Sequence, residues 1–302
     1  MDICVVLVTY NRKSDLQRTL QAYESQTMSP KTILVVDNHS TDGTGALLSR
    51  WQAEKGICER EVLTTPENLG GSGGFYLGME HALLCGCDWI FVSDDDAIPA
   101  PDVLERLQRF AAEHSGQIAA ISCAVCDEKG IVVGHRARIR RCSLLGIKDA
   151  PVSKKEYQSP AFAVDFFSYI GTCIRADALR AAGLCRREFF IYSDDFEHAL
   201  RVGREGALYC IPAAVMQHAD NNPYSKRASW RDYYATRNLL LMYRAHFGRF
   251  AAARRALLRR FTAWRSLDPV KMRVIRDAIR DAKKGITGKH PVYRPGWEPY
   301  KN

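Results

Sequence analysis

Three adjacent carboxylates, Asp94-Asp95-Asp96, follow the apolar run Trp89-Ile90-Phe91-Val92. In an extended segment alternate side chains face the same way, so Asp94 and Asp96 project together while Asp95 turns aside. Neighbouring negative charges repel, and a divalent cation at the mouth of a buried strand offsets that repulsion. Carboxylate oxygens are hard ligands suited to Mg²⁺ or Mn²⁺, which would share the cluster with diphosphate oxygens. The alternative is a solvated acidic turn that caps the next helix. Position at a strand's carboxyl end favours the metal, because open α/β sheets bind ligands there.

Other chemistry is spread along the chain. Asp37 closes the run Ile33-Leu34-Val35-Val36 and has two equal readings, a contact to a nucleotide base or ribose and a turn-starting Asp. For Asp42 the turn reading is the stronger. Asn68-Leu69-Gly70-Gly71-Ser72-Gly73-Gly74 reads as a loop that lets backbone approach a ligand and opens a helix whose N-terminus favours phosphate. It matches neither a P-loop nor a dinucleotide fingerprint. In Asp194-Asp195-Phe196-Glu197, Asp194 and Glu197 have the spacing of a capping box. Asp195 is left over. In the first turn of a helix the dipole lowers its pKa, which keeps it ionised and able to accept a proton. His218 follows a short apolar run; a lone histidine there is ordinarily a core residue, and its functional case depends on the acids above.

Alternating strand and helix patterns must position these groups. Ile3–Thr9 reads as a strand, Asn11 as the N-cap of a helix over Lys13–Ser25, and Thr32–Asp37 as a second strand. A helix to about Lys55, a strand near Glu61–Thr64, a helix to Leu84 and the strand Trp89–Ser93 follow. Pro101–Glu113 reads as helix and Ile118–Val125 as strand. This alternation predicts a Rossmann-like, mostly parallel α/β sheet flanked by helices. From Cys126 to Ala163 the pattern is irregular, with a basic stretch at His135–Arg141, an acceptor-side insertion. Phe166–Ile174 is apolar, a helix starts near Asp194, and Ala207–Ile211 is a late strand. From Trp230 on, the chain is helical and basic. Phe250, Ala253, Leu257, Phe261 and Trp264 share one helical face, with Arg254, Arg255, Arg259 and Arg260 off it. The expected organisation is a catalytic domain over 1–228, with a donor half (1–125) and an acceptor half (126–228), then a helical region over 229–302.

The 302 residues, 46% hydrophobic and 25% charged, suffice for one large α/β domain with a helical appendage. No secretory leader and no apolar run of about 18 residues are apparent, which predicts a cytoplasmic protein. Ten cysteines at irregular spacing read as reduced thiols. The pairs Cys85/Cys87 and Cys123/Cys126 lie in or beside apolar runs, unlike zinc-site loops. Between Ser229 and His290 there are 16 Lys+Arg against 4 Asp+Glu, so the rest of the +9 chain is net acidic. That argues against a nucleic-acid groove across the main domain and for an anionic surface, such as lipid headgroups, facing the tail. The competing reading packs the apolar stripe on the catalytic domain or on a second subunit of a homodimer.

Taken in order, Val8-Thr9-Tyr10-Asn11-Arg12, Val35-Val36-Asp37-Asn38-His39-Ser40-Thr41-Asp42-Gly43-Thr44, the Asn68–Phe75 glycine-rich segment, Asp94-Asp95-Asp96 and Asp194-Asp195-Phe196-Glu197 resemble the inverting family-2 glycosyltransferases. The branch most similar is that of the galactofuranosyl- and rhamnosyltransferases, over about residues 1–245. The resemblance implies an A-type glycosyltransferase fold and a nucleoside-diphosphate sugar donor, such as UDP-galactofuranose or dTDP-rhamnose. It also implies a glycan or lipid-linked glycan acceptor and Mn²⁺ or Mg²⁺. Thr9, Tyr10, Asn11, Arg12 and Asp37 would hold the donor with Asn68, Gly70, Gly71, Gly74, Asp94 and Asp95. Asp94, Asp96 and His218 would hold the metal, and Asp195, beside Asp194, would be the base. Trp230, Tyr234, Arg237 and Asn238 resemble the helix that follows the family's catalytic core, on the acceptor side. A sugar nucleotidyltransferase would need a glycine-rich loop straight after the first strand, where Tyr10-Asn11-Arg12-Lys13 stands instead. A non-catalytic glycan-binding protein would have lost the acids, which are present.

Overall fold

The computed structural model describes residues 1–114, 118–142, 146–219 and 227–300. Of the basic stretch His135–Arg141, the side chains of Arg140 and Arg141 fall outside the described set. In chain order the elements begin with β1 (Ile3–Thr9), α1 (Lys13–Glu24), β2 (Thr32–Asp37), α2 (Thr44–Ala53), β3 (Glu59–Thr64), α3 (Gly70–Leu84) and β4 (Trp89–Asp94). Then come β5 (Ile98–Pro99), α4 (Val103–Glu113), β6 (Ile118–Asp127), β7 (Gly130–Ile131), β8 (Arg136–Cys142) and β9 (Gly146–Pro151). The chain continues through β10 (Phe162–Val164), β11 (Phe166–Phe167), β12 (Thr172–Arg175), α5 (Ala176–Ala182), α6 (Asp194–Val202) and β13 (Ala207–Gln217). It ends in α7 (Trp230–Arg265) and α8 (Pro269–Lys284).

The main sheet runs β10-β13-β6-β12-β4-β1-β2-β3, and a small sheet runs β11-β8-β9. Pairing is parallel across β3-β2-β1-β4. Beyond β4 the sheet is mixed, because β12 lies antiparallel between β4 and β6. The apolar stretch Phe166–Ile174 is thus two short strands in two sheets. They are separated by Gly171 at φ +67°, where an added Cβ would meet Met216.

β1 is buried along its whole length, as a strand covered on both faces must be. Its alternation divides the core in two. Ile3, Val5 and Leu7 pack with Leu16, Leu20, Leu104 and Leu107, whereas Cys4, Val6 and Val8 pack with Phe75 and Met79. The glycine-rich segment is helix rather than loop, since α3 begins at Gly70. Its later glycines serve close packing on β1: a Cβ on Gly74 would stand 2.4 Å from Val8, and one on Gly78 2.3 Å from Val6. The expected donor contact at Gly74 is therefore replaced by a helix–strand contact. Gly78→Ala, remote from the cleft, should destabilise the fold. Overpacking of about 1–3 kcal/mol outweighs a helix-propensity gain of about 1 kcal/mol. Urea denaturation checks this, and unchanged stability would mean that α3 does not press on β1.

The tail corrects another expectation. α7 breaks at Gly248 (φ 88°), and after the break Ala256 and Ala263 face inward with Ile275 and Ile279 of α8. The stripe Phe250, Leu257, Phe261 and Trp264 is exposed, at 94%, 65%, 53% and 61%. It does not pack on the catalytic part of this chain. Arg254 and Arg260 are exposed with it, whereas Arg255 and Arg259 are half-buried on the inner side.

Candidate active site

Strand ends converge at the carboxyl edge of the sheet. In-register pairing sets Val8 beside Asp94 and Thr9 beside Asp37. β13 delivers His218, whose backbone N–H donates to the Cys126 carbonyl at 2.9 Å. Ligand atoms of Asp94, Asp96 and His218 all lie within 4.8 Å of one another. Asp95 turns the other way, into the protein. Its carboxylate accepts the Thr9 hydroxyl at 2.6 Å and its carbonyl accepts the Thr19 hydroxyl at 2.8 Å. Arg12 lies against the cluster, hydrogen-bonded to Asp96 and 3.5 Å from Asp95.

Burial, with Asp96 adding to it, pushes Asp94 up to about 6. Burial likewise pushes Asp95 up to about 7. Asp96 also suffers burial, but His218 and Arg12 outweigh it and hold the carboxyl below its ordinary range. Burial opposes the charged form of His218, yet Asp96 raises its pKa overall. Asp96 Oδ1 is 3.4 Å from His218 Nε2 without hydrogen-bond alignment, and both Asp96 Oδ1 and His218 Nδ1 are buried without a partner. Buried polar atoms are rarely left so. Two carboxylates and an imidazole, with one Asp96 oxygen and one His218 nitrogen left unpartnered, fit a divalent cation of the Mg²⁺ or Mn²⁺ kind.

A cleft of about 370 Å³ opens over this cluster. Of the expected residues its wall includes Thr9, Tyr10, Arg12, Asn68, Gly70, Gly71, Asp94, Asp95, Asp96, His218 and Trp230. Asn11 stands outside it. With φ 54° it is no helix cap. It accepts the Thr41 N–H at 2.7 Å and so ties the β1 end to the β2 turn. Asp37 is buried and accepts the Ser40 N–H at 3.0 Å, the turn alternative. Asp42 accepts the backbone N–H of Lys13 and of Thr44.

Asn38, Ile191, Tyr192 and Arg231 also line the cleft, and sequence reasoning missed them in these roles. Asn38 spans to α3, donating to the Gly70 carbonyl at 2.7 Å and accepting from Leu69 at 3.1 Å. Gly70 has φ 73°, and a Cβ there would lie 2.1 Å from the Phe190 carbonyl oxygen. That contact brings in a strained segment in which Phe190, Tyr192 and Ser193 all have positive φ, at a cost of about 1–3 kcal/mol each. No glycine announces it in the sequence. Asn238 holds it by donating to the carbonyls of Phe189, Ile191 and Tyr192 at 2.8–3.0 Å, and Arg237 donates to Phe189 at 3.2 Å. Arg237 is thus buried behind the site, as is Tyr234, whose hydroxyl donates to the Tyr293 carbonyl. Neither reaches the acceptor side as expected.

Ser193, not Asp194, is the N-cap of α6. Glu197 makes no capping box; it is fully buried among Arg186, Arg201 and His246 at 2.8–3.0 Å. Asp194 and Asp195 occupy the first turn. Asp195 accepts the Phe196 N–H at 2.7 Å and keeps an open side onto a second cavity of about 740 Å³. Burial first, and the charge of Asp194 second, raise its pKa, so the expected lowering by the helix dipole is overridden. Tyr192 and Arg231 line both cavities, which adjoin there.

The model of the family described as "Glycosyl transferase family 2" matches residues 4–180. A galactofuranosyltransferase GlfT1 of Mycolicibacterium smegmatis is 31% identical over 219 residues, 71% of this chain and 70% of that protein. An N-acetylglucosaminyl-diphospho-decaprenol L-rhamnosyltransferase of Mycobacterium tuberculosis is 25% identical over 95% of this chain and 98% of that protein. Among solved structures, the mannosyltransferase PcManGT of Pyrobaculum calidifontis, in complex with GDP-Man and Mn²⁺, has a TM-score of 0.58 at 18% identity. It covers 96% of this chain and 76% of that one. GalNAc-T7 with UDP, GalNAc and Mn²⁺ has a TM-score of 0.63 at 15% identity, over 94% of this chain and 56% of that one.

Proposed function

The chain belongs to glycosyl transferase family 2, and on that footing we propose that it moves galactofuranose from UDP-galactofuranose, with inversion, onto a glycan or lipid-linked glycan. The galactofuranosyltransferase relative supports the choice of sugar. The observation that carries the reading is the convergence of Asp94, Asp96 and His218 in a cleft that shares Tyr192 and Arg231 with the cavity of Asp195. Asp94, Asp96 and His218 would hold Mn²⁺ or Mg²⁺, which when bound supplies Lewis-acid neutralisation of diphosphate charge. Arg12 adds a fixed positive charge beside Asp96. Gly71, where an added Cβ would meet nothing within 4 Å, leaves room for a phosphate at the start of α3, while the Gly70 and Ser72 N–H groups already donate to Asn68 and Phe190. Asp95 holds the Thr9 hydroxyl and thereby the β1 end.

Where the two cavities adjoin, at Tyr192 and Arg231, Asp195 accepts the proton of an acceptor hydroxyl as its oxygen attacks the anomeric carbon. With a single base and no carboxylate nucleophile assigned among the described residues, the acceptor oxygen forms its bond to the anomeric carbon as the bond to UDP breaks, so UDP leaves in one displacement and the configuration inverts, unlike the paired-carboxylate route of retaining hydrolases. A rhamnosyl donor, dTDP-rhamnose, is the second reading, favoured by the rhamnosyltransferase relative that spans 95% of this chain. Thermal shift over a panel of nucleotide sugars separates the two, since a ligand at 100 times its Kd adds about 2.7 kcal/mol of apparent stability. Stabilisation by dTDP-rhamnose and not by UDP-galactofuranose would replace the first reading.

No helix among the described residues is long and apolar enough to cross a membrane. The exposed face of α7, with Phe261 and Trp264 rings 5.9 Å apart and Arg254 and Arg260 beside them, has instead the character of a helix lying in a membrane interface. We place it on an anionic cytoplasmic leaflet, where a lipid-linked acceptor resides. Each Lys or Arg near such a surface contributes on the order of 1 kcal/mol, screened by salt. The protein should sediment with anionic but not neutral vesicles and be released by high salt. Arg249, next to the break at Gly248, is exposed like Arg254 and Arg260, and an Arg249/Arg254/Arg260→Glu variant should stay in the supernatant. Equal sedimentation with neutral vesicles, or none with anionic ones at low salt, would remove the membrane role.

A further inference from the structure

From the donor cleft at Gly70, α3 runs 15 residues, about 20 Å at 1.5 Å per residue, to a different group of ligand-bearing side chains. His81 and Cys85 lie four residues apart at its C-terminal end, so both fall on one side of the helix. β3 is the edge strand of the main sheet. Its alternation turns Leu63 into the core beneath α3, and Glu61, two residues earlier, faces the same way. A ring nitrogen of His81, the Cys85 Sγ and a carboxylate oxygen of Glu61 all lie within 4.8 Å of one another. His81 Nε2 is hydrogen-bonded to one Glu61 oxygen, and Cys85 Sγ donates to the other at 3.6 Å. These bonds leave the charge of Glu61 without a permanent counterpart. Among the described residues no Lys or Arg pairs with it, and His81 is charged only when protonated. The Lys31 ammonium is directed instead to Asp2 at 3.2 Å and to the Cys85 carbonyl at 3.3 Å.

We propose that Glu61, His81 and Cys85 form a second metal site, of the zinc class, with water as the fourth ligand. The donor set decides the ion, because thiolate and imidazole favour Zn²⁺ whereas Mg²⁺ and Mn²⁺ take oxygen ligands. Tetrahedral zinc, with bonds of about 2.0–2.3 Å, spaces its ligand atoms about 3.3–3.8 Å apart, and the Cys85–Glu61 separation of 3.6 Å already has that value. As the ion enters, the His81–Glu61 hydrogen bond opens and the Cys85 thiol releases its proton to solvent. The Glu61 and His81 side chains are each 32% exposed, which leaves one side of the cluster to water. Cys87 stays outside the set, hydrogen-bonded with Cys4, so the close spacing of Cys85 and Cys87 is not what makes the site. The ion ties the end of α3 to the edge strand, while the start of the same helix, at Gly70 and Gly71, walls the donor cleft. None of this depends on the sugar or on the role of Asp195.

Cobalt(II) is the probe, because a cysteine ligand gives it a near-ultraviolet thiolate-to-metal charge-transfer band that oxygen ligands do not. Added to the full chain in excess Mg²⁺, it should produce that band saturably, and Zn²⁺, the tighter binder, should erase it. Cys85→Ser should remove the band. His81→Gln and Glu61→Gln should each weaken cobalt binding about tenfold or more, at least the usual cost of disturbing a ligand's surroundings. Asp96→Ala should bind cobalt as the wild type does. Zinc should raise the melting temperature of the wild type and not that of Cys85→Ser. No band in the wild type, a band that persists in Cys85→Ser, or unchanged affinity in His81→Gln overturns the proposal. So does a band lost in Asp96→Ala, which would put the cobalt in the donor cleft. Should Cys85→Ser melt early in EDTA, the affinities of His81→Gln and Glu61→Gln are read instead.

Discussion

Asp195→Asn should reduce turnover by about 10²-fold or more, the usual size of a general-base contribution, while donor binding stays near the wild-type value. The substitution is nearly isosteric and preserves the acceptor oxygen that receives the Phe196 N–H, so the start of α6 survives and only basicity is lost. The pH profile sharpens the test. Burial and Asp194 raise the Asp195 pKa, and the reaction needs its ionised form. Activity should therefore fall as pH falls through a value above the ordinary carboxylate range of about 4. The two acids titrate as a coupled pair, so that limb belongs to both. Asp194→Asn removes a negative neighbour and should move the limb to lower pH, with a smaller loss at neutral pH. An Asp195→Asn enzyme with near-normal turnover would falsify the assignment.

Asp96→Ala should remove most activity, about 10²-fold or more, equivalent to about 3 kcal/mol of transition-state stabilisation. It should also abolish the part of donor binding that depends on Mn²⁺ or Mg²⁺. The fold should persist, because Asp96 is not part of the apolar core, while Asp95 keeps its bond to Thr9. Titrating the donor with and without metal, beside a melting curve, checks both halves. Donor affinity that responds to metal equally in wild type and variant would move the cation elsewhere.

Periodicity carried most of the donor half. β1 and β2 were expected at the bounds observed, Ile3–Thr9 and Thr32–Asp37, because a strand buried on both faces is a continuous apolar run with polar residues at its end. The alternation that sends Asp95 one way and Asp94 and Asp96 the other is likewise a property of extended chain. What the pattern did not reveal depends on distant partners. Seven residues from Asn68 to Gly74 read as loop because glycine is a poor helix former. Yet close approach to β1 and to the Phe190 carbonyl demands glycine within the helix. The left-handed conformations at Phe190, Tyr192 and Ser193 are imposed from α7 through Asn238, 45 or more residues along the chain. Amphipathic spacing identified the stripe on α7 but not its direction; the inner side of that helix is made of Ala256 and Ala263, residues too small to weigh in the pattern.

Release of UDP from UDP-galactofuranose, followed with the full chain in Mn²⁺ and again in EDTA, bears most directly on a donor site built from Asp94, Asp96 and His218. Slow UDP release with Mn²⁺ or Mg²⁺ is the expected result. It should vanish in EDTA and in Asp96→Ala, and quicken when an acceptor is supplied. Release at the same rate in EDTA as in Mn²⁺ would contradict a metal-dependent donor site at these residues.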